Sequence, residues 1–139
     1  MKSSPLREKS YVFAVNIVRL VQQLQTGKKE FVLSKQLLRS GTAVGALLRE
    51  AEFGQSTPDF IHKLNISLKE ANETVYWLSL LMDTDYLEKN EFEKRNAECS
   101  ELIAMLVASI KTLKTKSGNF KWKENSEKLW VKSEEFILF

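Results

Sequence analysis

The stretch that decides the fold is RSGTAVGALLREAEFGQSTPDFIHKLNISLKEANETVYWLSLL, Arg39–Leu81. It reads as the back half of one helix, a short turn, and one whole further helix. Gly41 and Gly45 stand four apart on one helix face with Ala51 nearby, a small-residue strip that lets another backbone come close. After the turn, Phe60, Leu64, Leu68, Ala71, Val75, Leu78 and Met82 recur at intervals of three and four, the period of one helical face. Thr57-Pro58-Asp59 opens that helix, with Thr57 as N-cap, Pro58 in the first helical position and Asp59 by the positive helix end. No catalytic motif lies in the stretch.

Outward from it, the pattern predicts three more boundaries. Helix 1 is expected from about Pro5 to Gln25, capped by Ser3 or Ser4, with Phe13, Ile17, Leu20 and Leu24 as its core stripe. Gly27 is the expected left-handed stop. Helix 2 is expected from near Glu30 to about Phe53. Glycine inside a helix costs ~1 kcal/mol against alanine, so Gly41 and Gly45 predict close helix packing. Asn90-Glu91-Phe92-Glu93 resembles a capping box opening helix 4, striped by Cys99, Leu102, Leu106, Ile110 and Leu113 until Ser117-Gly118. Four helices joined by short turns predict an all-α, antiparallel up-down-up-down four-helix bundle over residues 1–117. Residues 118–139 form a separate aromatic, basic tail holding Phe120, Trp122, Trp130, Phe136 and Phe139. It is expected to dock as a short helix on the bundle, on a neighbour or on a protein partner.

Composition narrows the function class. A chain of 139 residues with 43% hydrophobic and 28% charged residues suits one domain with a real core. The apolar runs are too short to span a bilayer, and MKSSPLREKS lacks the apolar segment of a signal peptide. Cys99 is the one cysteine and His62 the one histidine, which leaves no disulfide, no Cys-His pair and no metal cluster to build within the chain. A cytoplasmic location is the expectation. Asp83, Asp85 and Glu88 do not make a calcium loop, because the sixth position is Glu88 rather than Gly and the twelfth is Lys94 rather than Glu. The carboxylates Glu50, Glu70 and Glu73 are expected to form structural ion pairs with Arg39 and Arg49 between helices. No enzyme and no cofactor is expected.

Two features exceed a minimal bundle. Val12, Val15 and Val18, then Ile61, Ile66, Trp77 and Leu81, then Ile103 and Val107 lie beside the main core stripes. A helix apolar over more than one stripe usually buries a second face, and self-association is the simplest source of one. Charge is also sorted along the chain. Residues 1–49 hold nine Lys/Arg against two acids, residues 50–101 five against twelve, and residues 102–139 seven against four. In an up-down bundle Lys2, Arg7, Lys9, Arg49, Lys63, Lys111, Lys114 and Lys116 collect at one end with few acids opposing them. Such an end suits phosphate backbones, without base readout. Arg7, Lys9, Lys63, Lys111, Lys114 and Lys116 are the candidate nucleic-acid-binding residues.

The same stretch resembles the 23S rRNA intervening-sequence protein family of small bacterial four-helix bundles, related to accessory proteins of diversity-generating retroelements. Its pattern is matched by Arg39-Ser40-Gly41-Thr42, Gly45-Ala46, Arg49-Glu50-Ala51, Gln55-Ser56, Asp59 to Leu64, Glu70-Ala71, Glu73-Thr74 and Tyr76-Trp77-Leu78. Leu47 stands where the family usually has Asn. The resemblance implies a homopentamer with a central channel and a basic surface. Its relatives bind nucleic acid and a reverse transcriptase. It brings no catalytic residues, and its motif residues read as architectural. Two readings follow: a nucleic-acid-binding oligomer for RNA or DNA, or a protein-interaction scaffold or accessory subunit whose partner contacts the tail.

Overall fold

The computed structural model describes residues 4–117; the tail lies outside the described residues. Those residues form four α-helices and no strand: α1 (Pro5–Gly27), α2 (Leu33–Ala51), α3 (Thr57–Asp83) and α4 (Lys89–Ser117). No helix among them is long and apolar enough to cross a membrane.

The helix ends show where local signals carry and where they shift. Ser4 caps α1 by accepting the Arg7 N–H, and Pro5 takes the first turn as predicted. Gly27 is not the left-handed stop. It stays helical, and the left-handed residue is Lys29 at φ 56. The Leu24 carbonyl takes the N–H groups of both Lys28 and Glu30 at 3.1 Å, which carries the helix past the glycine before the chain turns. α2 opens at Leu33 rather than Glu30, because Glu30 serves as its cap from outside. Its carboxylate accepts the N–H groups of Val32, Leu33 and Ser34 at 3.1, 2.9 and 2.7 Å. Those are donors that a helix start leaves without partners.

The cap of α3 is Ser56, one residue before Thr57. Its hydroxyl accepts the Asp59 N–H at 3.2 Å, and Pro58 falls in the first turn, where a missing N–H costs nothing. α4 starts at Lys89, so Asn90 lies inside the first turn, and the Phe92 N–H donates to the Glu88 carbonyl.

The core draws on every helix. Phe13, Ile17, Leu20 and Leu24 of α1 meet Leu37, Val44 and Leu48 of α2, Leu64, Leu68 and Leu78 of α3, and Cys99, Leu102, Leu106 and Ile110 of α4. Each large aliphatic side chain buried this way contributes about 1.5–3 kcal/mol before chain entropy is set against it. Leu81 belongs to this core and is fully buried, so it is no part of a second face. Ile61, Trp77, Ile103 and Val107 pack on the core's edge. Of the apolar side chains of α1, Tyr11 and Val12 are exposed, and Val15 and Val18 are half-buried.

The two helix-interior glycines do what their spacing predicts. A Cβ on Gly41 would stand 2.9 Å from Ile17 Cγ2, and one on Gly45 would stand 3.1 Å from Ser10 Oγ. α1 therefore sits against bare backbone of α2. On the other flank of α2, Ser67 of α3 donates to the Val44 carbonyl at 2.9 Å, and Thr74 Oγ1 lies 2.9 Å from Ser40 Oγ. These buried hydroxyls are small enough to permit close approach and are satisfied where they sit. Cys99 donates to the Ala71 carbonyl at 3.2 Å across α3 and α4. Burial first, and then the Glu98 charge, push its thiol up to about 12, so it is an inert core residue.

Candidate nucleic-acid interface

The expected ion pairs form around Arg39. Its guanidinium reaches Glu70 at 3.2 Å and also pairs with Glu73 of α3. Glu73 in turn accepts the Trp77 indole N–H at 2.9 Å, and Tyr76 sets its ring edge-on to Trp77 at 4.9 Å. The arrangement staples α2 to α3 on the outside. At this exposure each such pair is worth ~0–1 kcal/mol and chiefly fixes register. Glu50 is also paired, with Lys63 at 3.0 Å rather than with an arginine. Arg49 is exposed in the last turn of α2.

The candidate phosphate-binding residues divide. Arg7 pairs with Glu52 at the end of α2, Lys9 lies 3.3 Å from Glu101 of α4, and Lys63 is taken by Glu50. The acids opposing the basic residues are thus more numerous than sequence alone implies, because each comes from a neighbouring helix. Lys111 and Lys116 are exposed in the last turns of α4. Lys114 is half-buried between them, and burial pushes its ammonium down to about 8. It therefore begins to lose charge above neutral pH.

One polar cluster was not legible beforehand. Arg95 of α4 lies 3.7 Å from Glu91 and 3.4 Å from Glu98, and Asn16 of α1 donates to Glu98 at 2.9 Å. The spacing of Glu91, Arg95 and Glu98 foretells pairs along one helix. The contact with Asn16 depends on how α1 and α4 are aligned, which no local pattern encodes. A shallow cleft of 460 Å³ opens at the α2–α3 turn, lined by Lys63, Glu50 and the exposed ring of Phe53 among others. Among the described residues no group of His, Cys, Asp and Glu is placed to hold a metal.

Comparison with known proteins gives this arrangement a context. No curated protein matches the chain. A solved structure from Bacteroides thetaiotaomicron, described as a protein with unknown function from the S23 ribosomal protein family, is 52% identical. The match covers 76% of this chain and 97% of that one, with a TM-score of 0.75. The sequence profile of the 23S rRNA-intervening sequence protein family matches residues 2–108. That is well over half of the chain, and it spans the glycine strip, the Arg39 staple and all of α3. The chain therefore belongs to the 23S rRNA-intervening sequence protein family.

Proposed function

We propose that the protein is a non-enzymatic, self-associating bundle that binds the phosphate backbone of RNA or DNA through one basic end, without reading bases. The observation that carries this reading is membership of a family named for an rRNA intervening sequence. The contacts support an up-down-up-down order of helices. Gly41 lies by Ile17 and Gly45 by Ser10, Ser40 lies by Thr74 and Glu50 by Lys63, and Asn16 lies by Glu98 and Lys9 by Glu101. In each pair of helices, one number rises as the other falls. In that order the start of α1, the end of α2, the start of α3 and the end of α4 share one end of the bundle.

Arg49 and Lys111 lead there as exposed cations. Lys9 can exchange its carboxylate for a phosphate at small net cost, since its pair is solvent-screened, and Lys63 pairs with an exposed Glu50, whereas Arg7 is held by a largely buried Glu52 and is the harder of the three to release. Self-association, pentameric as the resemblance implies, is assigned to the outward side of α3. Tyr76 is exposed there, and Ile66, Trp77 and Leu80 are half-buried.

The test is a light-scattering mass followed by titration with a structured RNA at several salt concentrations. An oligomer is expected, with affinity falling steeply as salt rises. The double substitution Arg49→Gln/Lys111→Gln should lower the slope of log affinity against log salt by roughly 2, about 0.9 per lost phosphate contact. An oligomer that ignores RNA and DNA even at low salt would sink the reading. The role of an accessory subunit with a protein partner would then take its place, favoured by the aromatic segment beyond the family match.

A further inference from the structure

The α2–α3 turn carries an aromatic ring into solvent. Phe53 is 78% exposed, more than any other large apolar side chain among the described residues. The turn that bears it is anchored on both sides. The Phe53 N–H donates to the Glu50 carbonyl at 3.0 Å, and the Gly54 N–H donates to the carbonyl of the buried Ala51 at 3.0 Å. From the α3 side, Asp59 accepts the Gln55 N–H at 3.2 Å. Its carboxylate lies so near that a Cβ on Gly54 would stand 2.9 Å from Asp59 Oδ2. An exposed Phe on a braced turn is a fixed apolar surface with no partner in its own chain to cover it.

Phe53 lines the 460 Å³ cleft together with Glu50, Asp59 and Lys63, and the size falls within the ~300–1,000 Å³ of clefts that hold small ligands. The wall chemistry selects which part of a nucleotide enters. Two carboxylates, Glu50 and Asp59, stand there with a single ammonium, Lys63, which already pairs with Glu50 at 3.0 Å. That balance disfavours a phosphate inside the cleft. It suits a nucleobase, whose face stacks on an aromatic ring and whose Watson–Crick edge carries at least one N–H for a carboxylate to accept. Cations for the flanking phosphates are at hand. Arg49, exposed in the last turn of α2, shortly precedes Phe53, and a Lys63 that turns to a phosphate leaves Glu50 as an acceptor for the base. A duplex offers neither feature, because its base faces are stacked and its edges are paired. An unpaired nucleotide offers both.

We infer, resting on the basic-end reading above, that the α2–α3 turn is a single-strand site: an unpaired nucleotide of RNA or DNA stacks its base on Phe53 while its phosphates lie on Arg49 and Lys63. Stacking accepts every base, so the site selects strandedness rather than sequence.

The test titrates the full chain with a fluorescent oligouridine, an abasic strand of equal length and a duplex, each at several salt concentrations. The oligouridine is expected to bind more tightly than the abasic strand. Phe53→Ala should weaken the oligouridine about tenfold, the scale of one lost base stack, and leave its salt slope unaltered because no phosphate contact is removed. Phe53→Trp should keep the affinity and Phe53→Leu should lose it, whereas the abasic strand and the duplex should bind all the variants alike. With iodouridine in the strand, irradiation should place an adduct on Phe53. The side chain is exposed, so none of these substitutions should move the urea midpoint. Oligouridine and abasic strands that bind equally, or an oligouridine affinity that Phe53→Ala leaves unaltered, overturn the inference, while a steep salt dependence in the same titrations leaves the basic-end reading standing. Failure of every strand to bind at low salt overturns both.

Discussion

α2 and α4 are held to their neighbours in different ways. α2 is gripped on both flanks at close range, by bare backbone at Gly41 and Gly45 against α1, and by the small hydroxyls Ser40, Ser67 and Thr74 against α3. α4 shares the core with α1, and the bonds between these two helices are made by longer polar side chains, Asn16 to Glu98 and Lys9 to Glu101. Arg95 Nε and Glu98 Oε1 face each other at 3.4 Å without hydrogen-bond geometry, and both atoms are out of contact with solvent. A satisfied hydroxyl draws two helices together because it occupies little volume and needs only a nearby carbonyl. A half-buried ion pair within one helix, as Arg95 and Glu98 make in α4, has to recover a desolvation cost and draws no second helix closer. The close seams fix α2 against both neighbours, and the α1–α4 seam is the less closely packed.

The largest effect is expected where bare backbone is in contact. Gly41→Val would drive its Cβ to 2.9 Å from Ile17, which is fully buried and cannot move aside cheaply. A loss of about 1–3 kcal/mol in urea unfolding is expected, offset only in part by improved helix propensity. Ala104→Val, on the exposed side of α4, should stay within about 0.5 kcal/mol. Equal costs at the two positions would abolish the contrast between the seams.

Next comes Glu30, the cap that α2 takes from outside its own span. Only 7% of the residue is exposed. Burial pushes its carboxyl up, but the N–H groups of Leu33, Ser34 and Val32 together with the Ser34 hydroxyl outweigh burial, and its pKa lies below the usual 4.5. A depressed carboxyl contributes stability that is present above the unfolded value and lost as pH falls through the folded one. Glu30→Ala should cost about 1–2 kcal/mol at pH 7, the scale of a lost helix cap. Its deficit relative to the parent should shrink below pH 4.5, as read by urea midpoints across that range. A deficit constant down to pH 3 would mean that the carboxylate is not the cap.

The parts legible in the sequence were those that a short window contains. The stripe from Phe60 to Met82, the close approach at Gly41 and Gly45 and the pairing of Arg39 with Glu70 and Glu73 all follow from spacing on one helix or across one short turn. Boundaries moved by one to three residues where a side chain acted from outside the helix, as Glu30 and Ser56 do. Leu81 was placed on the wrong face, since a stripe read alone does not reveal how far the neighbouring helices wrap around it. The acids answering Arg7, Lys9 and Lys63 were missed for the same reason. Glu52, Glu50 and Glu101 reach them only once the helices are aligned side by side.

The smallest effect is expected in the α1–α4 seam, and with the opposite sign. Burial raises the Glu98 carboxyl above the usual 4.5; Arg95 and the Asn16 amide pull it down, the Glu91 charge pushes it up, and the net shift is upward. A raised carboxyl binds its proton more tightly folded than unfolded. It therefore opposes folding above its folded pKa, and that opposition fades as pH falls through the folded value toward 4.5. Glu98→Gln keeps an oxygen for the Asn16 amide and removes the charge that burial penalises. At pH 7 the substitution should be neutral or stabilising by less than about 1 kcal/mol, because losing the Arg95 pair offsets much of the gain. The difference should narrow at pH 5, whereas Glu30→Gln should be destabilising at pH 7. A loss above about 2 kcal/mol for Glu98→Gln would show that the polar contacts fix α4 on α1 as firmly as backbone contact fixes α2.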